Sequence, residues 1–227
     1  MRRLAVLATF LLFPVAASAQ TTVYSNTFES GPLGPEWSGS GTIETTGGLS
    51  AFGFGALHLR NSTTTASVLS LSGLASHSSM TLQFDFAMWD SIDFGDIFSA
   101  SVDGNFLFNG PFGNYGTASS QCEGPGTVLT PPFTGFAIPN YGYNTAFRDC
   151  ARTVAFTFGH TAATAQFSFR YPDTQGGTDE SFGLDNIIVR TNNVGIPPNV
   201  VPEPGTYAMM GLGLFGVFAA FRRRSRQ

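Results

Sequence analysis

The sequence predicts an all-β protein, a two-sheet antiparallel sandwich, with one short helix at each end of the chain that is no part of the sandwich. Three observations carry this. Between Gln20 and Val201 the apolar residues recur with a period of two in short runs, and no stretch keeps a helical period for a credible length. Gly and Pro, 27 and 13 residues, punctuate the joins between those runs. Aromatic residues make up 14% of the chain against 11% charged, a balance suited to an exported β-protein rather than a helical cytosolic one. Many short strands with turn-rich joins pack as two facing sheets.

Taken in order, the first strand is expected at 23–29, with Tyr24, Asn26 and Phe28 on one face. Gly31-Pro32-Leu33-Gly34-Pro35 ends it ahead of Trp37. A loose region with Gly39, Gly41, Gly47 and Gly48 surrounds a short strand at 42–45, and strands at 56–60 and 67–71 follow. The clearest strand is 81–89, where Leu82, Phe84, Phe86 and Met88 share one face and Gln83 and Asp85 the other. Next come 97–102, a turn at Asp103-Gly104-Asn105, and 106–108. Asp-Gly between apolar runs signals a hairpin, because glycine takes a positive φ without steric cost. Residues 109–146 are rich in Gly, Pro, Tyr and Phe without a regular period, and a join of that length is a functional loop or an elaboration on a rigid scaffold. Strands resume at 153–158, 166–171 and 184–190.

The two ends read as processing segments. Residues 1–19 show a secretory signal, with Arg2-Arg3, an apolar run, and Ala17-Ser18-Ala19 ahead of cleavage at Gln20, which implies the Sec translocon as a partner. At the other end, 205–221 is an uncharged stretch of 17 residues, short of the roughly 20 that a stable span needs. Arg222, Arg223, Arg224 and Arg226 follow it and hold that terminus on the cytoplasmic side. Pro202-Glu203-Pro204 stands at its entrance. This order of parts resembles the PEP-CTERM sorting signal of Gram-negative bacteria, with Pro202, Glu203 and Pro204 as the motif and Arg222, Arg223 and Arg224 in the basic end. The resemblance covers 201–227. It implies an exosortase-type membrane peptidase as a partner, transient anchoring in the inner membrane, and delivery to the cell surface or an extracellular matrix. An ordinary C-terminal membrane anchor is the plainer alternative. The expected division is a signal peptide at 1–19, a sandwich at 20–191, a linker at 192–200 and a sorting signal at 201–227.

Between those segments only Arg60, Arg148, Arg152, Arg170 and Arg190 face fourteen acids from Glu29 to Asp185, and there is no lysine. Such a surface repels phosphate backbones, which excludes nucleic acid as a partner, and attracts divalent cations. Cys122 and Cys150 lie on the exported part, where oxidation is expected. Without a CxxC spacing they make a poor metal site and are read as a disulfide, worth about 3–4 kcal/mol if unstrained.

The domain also resembles the jelly-roll sandwiches of carbohydrate-binding and lectin-like families. The likeness rests on Thr27-Phe28-Glu29-Ser30-Gly31 with Trp37, on Gly95-Asp96-Ile97-Phe98 leading to Val102-Asp103-Gly104, and on residues 179–187. The run from Asp179 to Asn186 also resembles the ending of other exported PEP-CTERM proteins. In jelly rolls the first and last strands are commonly neighbours, which would bring Glu29 near Asp185. Asp185 shares a strand face with Ile187 and Val189, so it is expected to point inward with them, and a buried carboxylate must be paired, hydrogen-bonded or metal-bound. Glu29 and Asp185 are therefore candidate ligands of a structural Ca²⁺, with carbonyl oxygens completing the shell. The alternative is an Asp that accepts backbone N–H bonds. No other cofactor is implied.

Asp90, Asp93 and Asp96 are spaced by three, unlike an EF-hand loop, and read as a solvated acidic loop or a calcium loop. Trp37, Trp89, Tyr115, Tyr141 and Tyr143 are either core residues or sugar-stacking platforms. His58, His77 and His160 are scattered, without the pairing that a zinc site needs, and no GxSxG elbow occurs. The pairs Glu29/Glu36 and Asp179/Glu180 could serve glycoside hydrolysis only if held about 5–10 Å apart across a cleft. The expectation is an exported, non-catalytic surface or matrix protein associated with exopolysaccharide, biofilm or floc. The alternatives are a calcium-supported carbohydrate-binding module and a secreted polysaccharide hydrolase.

Overall fold

A computed structural model of the chain describes residues 20–115, 122–131, 140–143, 148–176 and 179–192, with Gly213 alone beyond them. The expected signal peptide, linker from 193 onward, short apolar helix and sorting motif lie outside the described residues, Gly213 excepted. All others described belong to one unit, Ala19–Val194. Among the described residues no helix is long and apolar enough to cross a membrane.

Twelve strands follow in chain order: β1 (Gln20–Asn26), β2 (Trp37–Gly39), β3 (Thr42–Thr45), β4 (Leu57–Asn61), β5 (Ser67–Ser72), β6 (Ser79–Asp90), β7 (Asp96–Val102), β8 (Asn105–Phe112), β9 (Thr127–Val128), β10 (Cys150–Gly159), β11 (Thr164–Arg170) and β12 (Glu180–Asn192). A 3₁₀ segment, Gly47–Phe52, lies between β3 and β4. One sheet runs β3-β4-β12-β6-β10-β9, with β1 also paired to β12, and the other runs β2-β5-β11-β7-β8. The facing quartets β4-β12-β6-β10 and β5-β11-β7-β8 are the two halves of a jelly roll, whose chain alternates between the layers. The first and last strands are neighbours, antiparallel from Gln20↔Asn192 to Asn26↔Ile187.

Alternation explains the core. Met80, Leu82, Phe84, Phe86 and Met88 of β6 meet Phe98 and Ala100 of β7 and Phe167 and Phe169 of β11, all at most 1% exposed. Their aromatic rings interlock, Phe86 against Phe98 at 4.4 Å and Phe84 against Phe169 at 5.2 Å between centroids. A second apolar cluster lies on the far side of β6, where Leu49 of the 3₁₀ segment packs with Ala87, Trp89 and Ala151. The expected hairpin forms as a two-residue turn, with Asp103 and Gly104 both at positive φ (49° and 79°) and Val102 paired to Asn105. Asn105 is thus the first residue of β8 and not part of the turn.

Several expectations shift. The first strand ends at Asn26: the Asn26 side chain accepts the Phe28 N–H, and Phe28 turns into the core at φ 57° instead of continuing the strand. The last strand starts at Glu180 and runs through Asn192, one residue past the expected domain edge. Part of the long join is regular, since β8 reaches Phe112 and β9 pairs with β10. Cys122 and Cys150 are disulfide-bonded, their Cα atoms 6.0 Å apart, which ties that join to β10. Neither tryptophan is a surface platform, Trp37 and Trp89 being 7% and 0% exposed.

Candidate functional site

The carboxylates singled out near the chain ends each accept a hydrogen bond from one loop, by a route the sequence pattern hides. Phe182 and Leu184 of β12 enter the core, and so do Ile187 and Val189. The parity changes between them because β12 has a bulge: Asp185 pairs with Asp85 but Ile188 with Gln83. Asn186, at φ 48°, is the extra residue. Asp185 therefore points away from Ile187, to the outer side of the sheet beside Asp85, which corrects the expectation that it shares their face. It is buried all the same, under the loop formed by residues 53–57.

Two acids accept hydrogen bonds from that loop directly, and a third is joined to it through the Asn186 amide. Asp185 accepts the Gly55 N–H at 2.9 Å and the Asn186 N–H at 2.7 Å. Glu29 accepts the Leu57 N–H at 3.0 Å. Asp85 accepts the Thr153 hydroxyl at 2.6 Å and the Asn186 side-chain amide at 2.7 Å, and that amide also donates to the Gly53 carbonyl. A Cβ at position 55 would lie 1.9 Å from Glu29 Oε1, so a larger residue there displaces the Glu29 carboxylate. Burial pushes the Asp185 carboxyl up to about 6; the Gly55 and Asn186 N–H groups oppose this, and the charges of Asp85 and Glu29 add to it. Among the described residues no group of three or more His, Cys, Asp or Glu side chains is arranged to hold a metal ion.

The end of the sandwich around the β6–β7 join holds the other acids. Asp93 is exposed, but Asp90 is fully buried, which corrects the solvated-loop reading; its N–H donates to Asp149 and its carboxylate lies 3.8 Å from the Arg60 guanidinium. The Tyr171 hydroxyl lies 2.5 Å from Asp96 and 2.6 Å from Glu180, and burial raises both carboxyls above their ordinary values. Glu180 has no exposed surface, and Asp179 accepts the Ser91 hydroxyl. Glu36 accepts the Tyr24 hydroxyl, whereas Glu29 lies on the 53–57 loop.

The histidines are the residues whose surroundings sequence reasoning missed. His58 is buried against Trp89, whose indole N–H donates to His58 Nε2 at 3.1 Å, while His58 Nδ1 meets the Glu44 carbonyl at 3.1 Å. Burial lowers its pKa to about 4. Tyr143, 38% exposed, stands edge-on to Trp89 and carries the Arg60 guanidinium 3.5 Å above its ring. His77 and His160 stack at 5.0 Å and share a hydrogen bond, although 83 residues separate them. Nothing local in the sequence announces either pairing.

The described residues define a jelly-roll β-sandwich. Residues 200–224 match the PEP-CTERM protein-sorting motif, which implies export, sorting by an exosortase and transient anchoring by the tail in a Gram-negative bacterium. No curated protein matches the sequence. Among solved structures, the K1 cleaved adhesin domain of Lys-gingipain from Porphyromonas gingivalis W83 is similar at 14% identity and a TM-score of 0.47, over 76% of this chain and 99% of that one. A family 35 carbohydrate binding module from Clostridium thermocellum follows at 8% identity and 0.40, over 76% and 97%. An exo-β-1,3-galactanase from Phanerochaete chrysosporium matches at 17% and 0.37, over 73% of this chain and 28% of that one. No activity follows from likenesses of this level.

Proposed function

We propose that the protein is a non-catalytic component of the bacterial surface or extracellular matrix, delivered by the Sec translocon, released from its tail by an exosortase, and associated with exopolysaccharide in a biofilm or floc. The observation that carries this reading is the sorting motif at 200–224 behind an acidic, disulfide-bonded sandwich. Mass spectrometry of the protein recovered from producing cells tests it. The expected product starts at Gln20 and lacks the arginines beyond Phe221, and Glu203→Ala leaves those arginines in place. Wild-type protein that keeps its tail intact in the membrane refutes the reading.

The bonds of Glu29 and Asp185 to one loop, with Asp85 joined to it through Asn186, favour a second reading, a carbohydrate-binding module supported by Ca²⁺. Glu29 and Asp185 would then exchange loop N–H groups for the cation, with the Gly53 carbonyl as a further oxygen ligand. A glycan array with and without chelator tests this: chelator-sensitive binding that Asp185→Asn abolishes supports it, and binding to no glycan under either condition sinks it.

A further inference from the structure

One end of the sandwich carries a chain of four groups joined by three hydrogen bonds. His77 Nδ1 lies 2.6 Å from the Ala75 carbonyl, His77 Nε2 lies 2.8 Å from His160 Nδ1, and His160 Nε2 lies 3.0 Å from Asp103 Oδ2. Each link needs a hydrogen. A carbonyl oxygen cannot supply one, so His77 Nδ1 carries the first. The central link takes the second, from whichever ring nitrogen donates. The third lies between His160 Nε2 and the Asp103 carboxylate. Two neutral imidazoles bring only two ring protons. The hydrogen-bonded chain holds three, whichever of His77, His160 and Asp103 is taken as host of the extra one.

The three partners come from different joins. His77 lies in the β5–β6 crossover between the sheets, His160 in the β10–β11 crossover, and Asp103 in the β7–β8 hairpin. The side chains of His77 and His160 are almost entirely buried. Backbone bonds run alongside, from the His160 N–H to the Ser78 carbonyl and from the Asp103 N–H to the Gln166 carbonyl. Charged side chains on the surrounding strands point elsewhere. Asp96 at the far end of β7 meets Tyr171, and Asp85 of β6 meets Thr153 and Asn186. Arg152 of β10 donates to the Cys122, Pro125 and Gly126 carbonyls, Arg170 of β11 to the Thr64 carbonyl, and Arg190 of β12 to Gln83. The Phe158 ring stands edge-on to His160 at 6.4 Å.

We propose that His77, His160 and Asp103 form a proton-operated clasp, in which one shared extra proton locks the two crossovers and the β7–β8 hairpin together and its loss in alkaline solution releases that end of the sandwich. The linkage sign follows from the count. The folded clasp holds one proton beyond the neutral rings, whereas two unfolded histidines, each titrating near 6.5, hold about one between them at pH 6.5 and almost none above pH 8. The clasp therefore stabilises the fold most near pH 6.5.

The chain has only three histidines, so selective ¹⁵N labelling of their rings in the purified full-length protein gives a readable spectrum. His58 serves as an internal neutral reference. The expected result at pH 6.5 is three protons distributed over the His77 and His160 ring nitrogens and Asp103, with a single coupled transition as pH rises. Two neutral rings with one proton each beside an ionised Asp103, read from the ¹³C shift of its carboxyl carbon, overturn the proposal at pH 6.5. In denaturant titrations, His160→Gln, which keeps a hydrogen-bonding side chain without a titrating one, is expected to flatten the alkaline slope relative to the wild type. An unchanged slope overturns the proposal as well. Should that variant fail to fold, the ring spectrum of the wild type decides alone.

Discussion

Asn186 is the residue whose replacement tests most of the site at once. It sits at φ 48°, and its amide joins Asp85 to the Gly53 carbonyl at 2.7 and 2.8 Å. Asn186→Gly keeps the left-handed backbone but removes both bonds. The bond to the Asp85 carboxylate is worth about 1.5 kcal/mol at this half-buried position and the one to the carbonyl about 0.5, so a loss of roughly 2 kcal/mol is expected. Asn186→Ala removes the same bonds and adds the left-handed penalty of a Cβ, about 1 kcal/mol more. The measurement is urea unfolding of the full-length protein followed by tryptophan fluorescence, with both variants expected to keep the wild-type slope and to move the midpoint in the order wild type, Gly, Ala. Equal midpoints for Gly and Ala would refute the bulge argument. A Gly variant as stable as the wild type would refute the claim that this amide holds the loop over Asp185.

Three further outcomes follow from the packing. A Cβ added at Gly183 would lie 2.5 Å from the His58 ring and 2.8 Å from the Trp89 indole nitrogen, so Gly183→Ala should destabilise by about 2 kcal/mol in thermal melts. His58 has a folded pKa near 4 against 6.5; its contribution is present above 6.5 and is lost as pH falls toward 4, amounting to about 3 kcal/mol. His58→Gln should remove that acid-side slope, read as the difference between two pH–stability curves. Reducing the Cys122–Cys150 bond should lower stability by about 3 kcal/mol, seen as a drop in melting temperature with dithiothreitol.

The strand pattern was legible wherever alternation was clean. Leu82, Phe84, Phe86 and Met88 lie in the core as their spacing requires, and the Asp103-Gly104 turn forms as that dipeptide dictates. Pairing of the first and last strands came from the jelly-roll resemblance, and it brings Glu29 to the loop that covers Asp185. The bulge was not legible, because one inserted residue leaves the composition of a strand unchanged while reversing which face every later side chain takes. The choice between core and platform for Trp89 was open for a related reason: it is on the outer face of β6, and Leu49 and its 3₁₀ segment cover that face.

What the sequence determined by itself is local: which residues alternate, where glycine and proline turn the chain, that residues 200–224 carry a sorting motif, and that the part before it is acidic. These depend on neighbours within a few positions. The tertiary structure alone decided which distant groups share a proton or a loop, His77 with His160 and Asp103, Tyr171 with Asp96 and Glu180, Asn186 with Asp85. In a jelly roll the chain crosses between layers at nearly every step, so such contacts join residues dozens of positions apart, and side-chain identity carries no record of them until the sheets have closed.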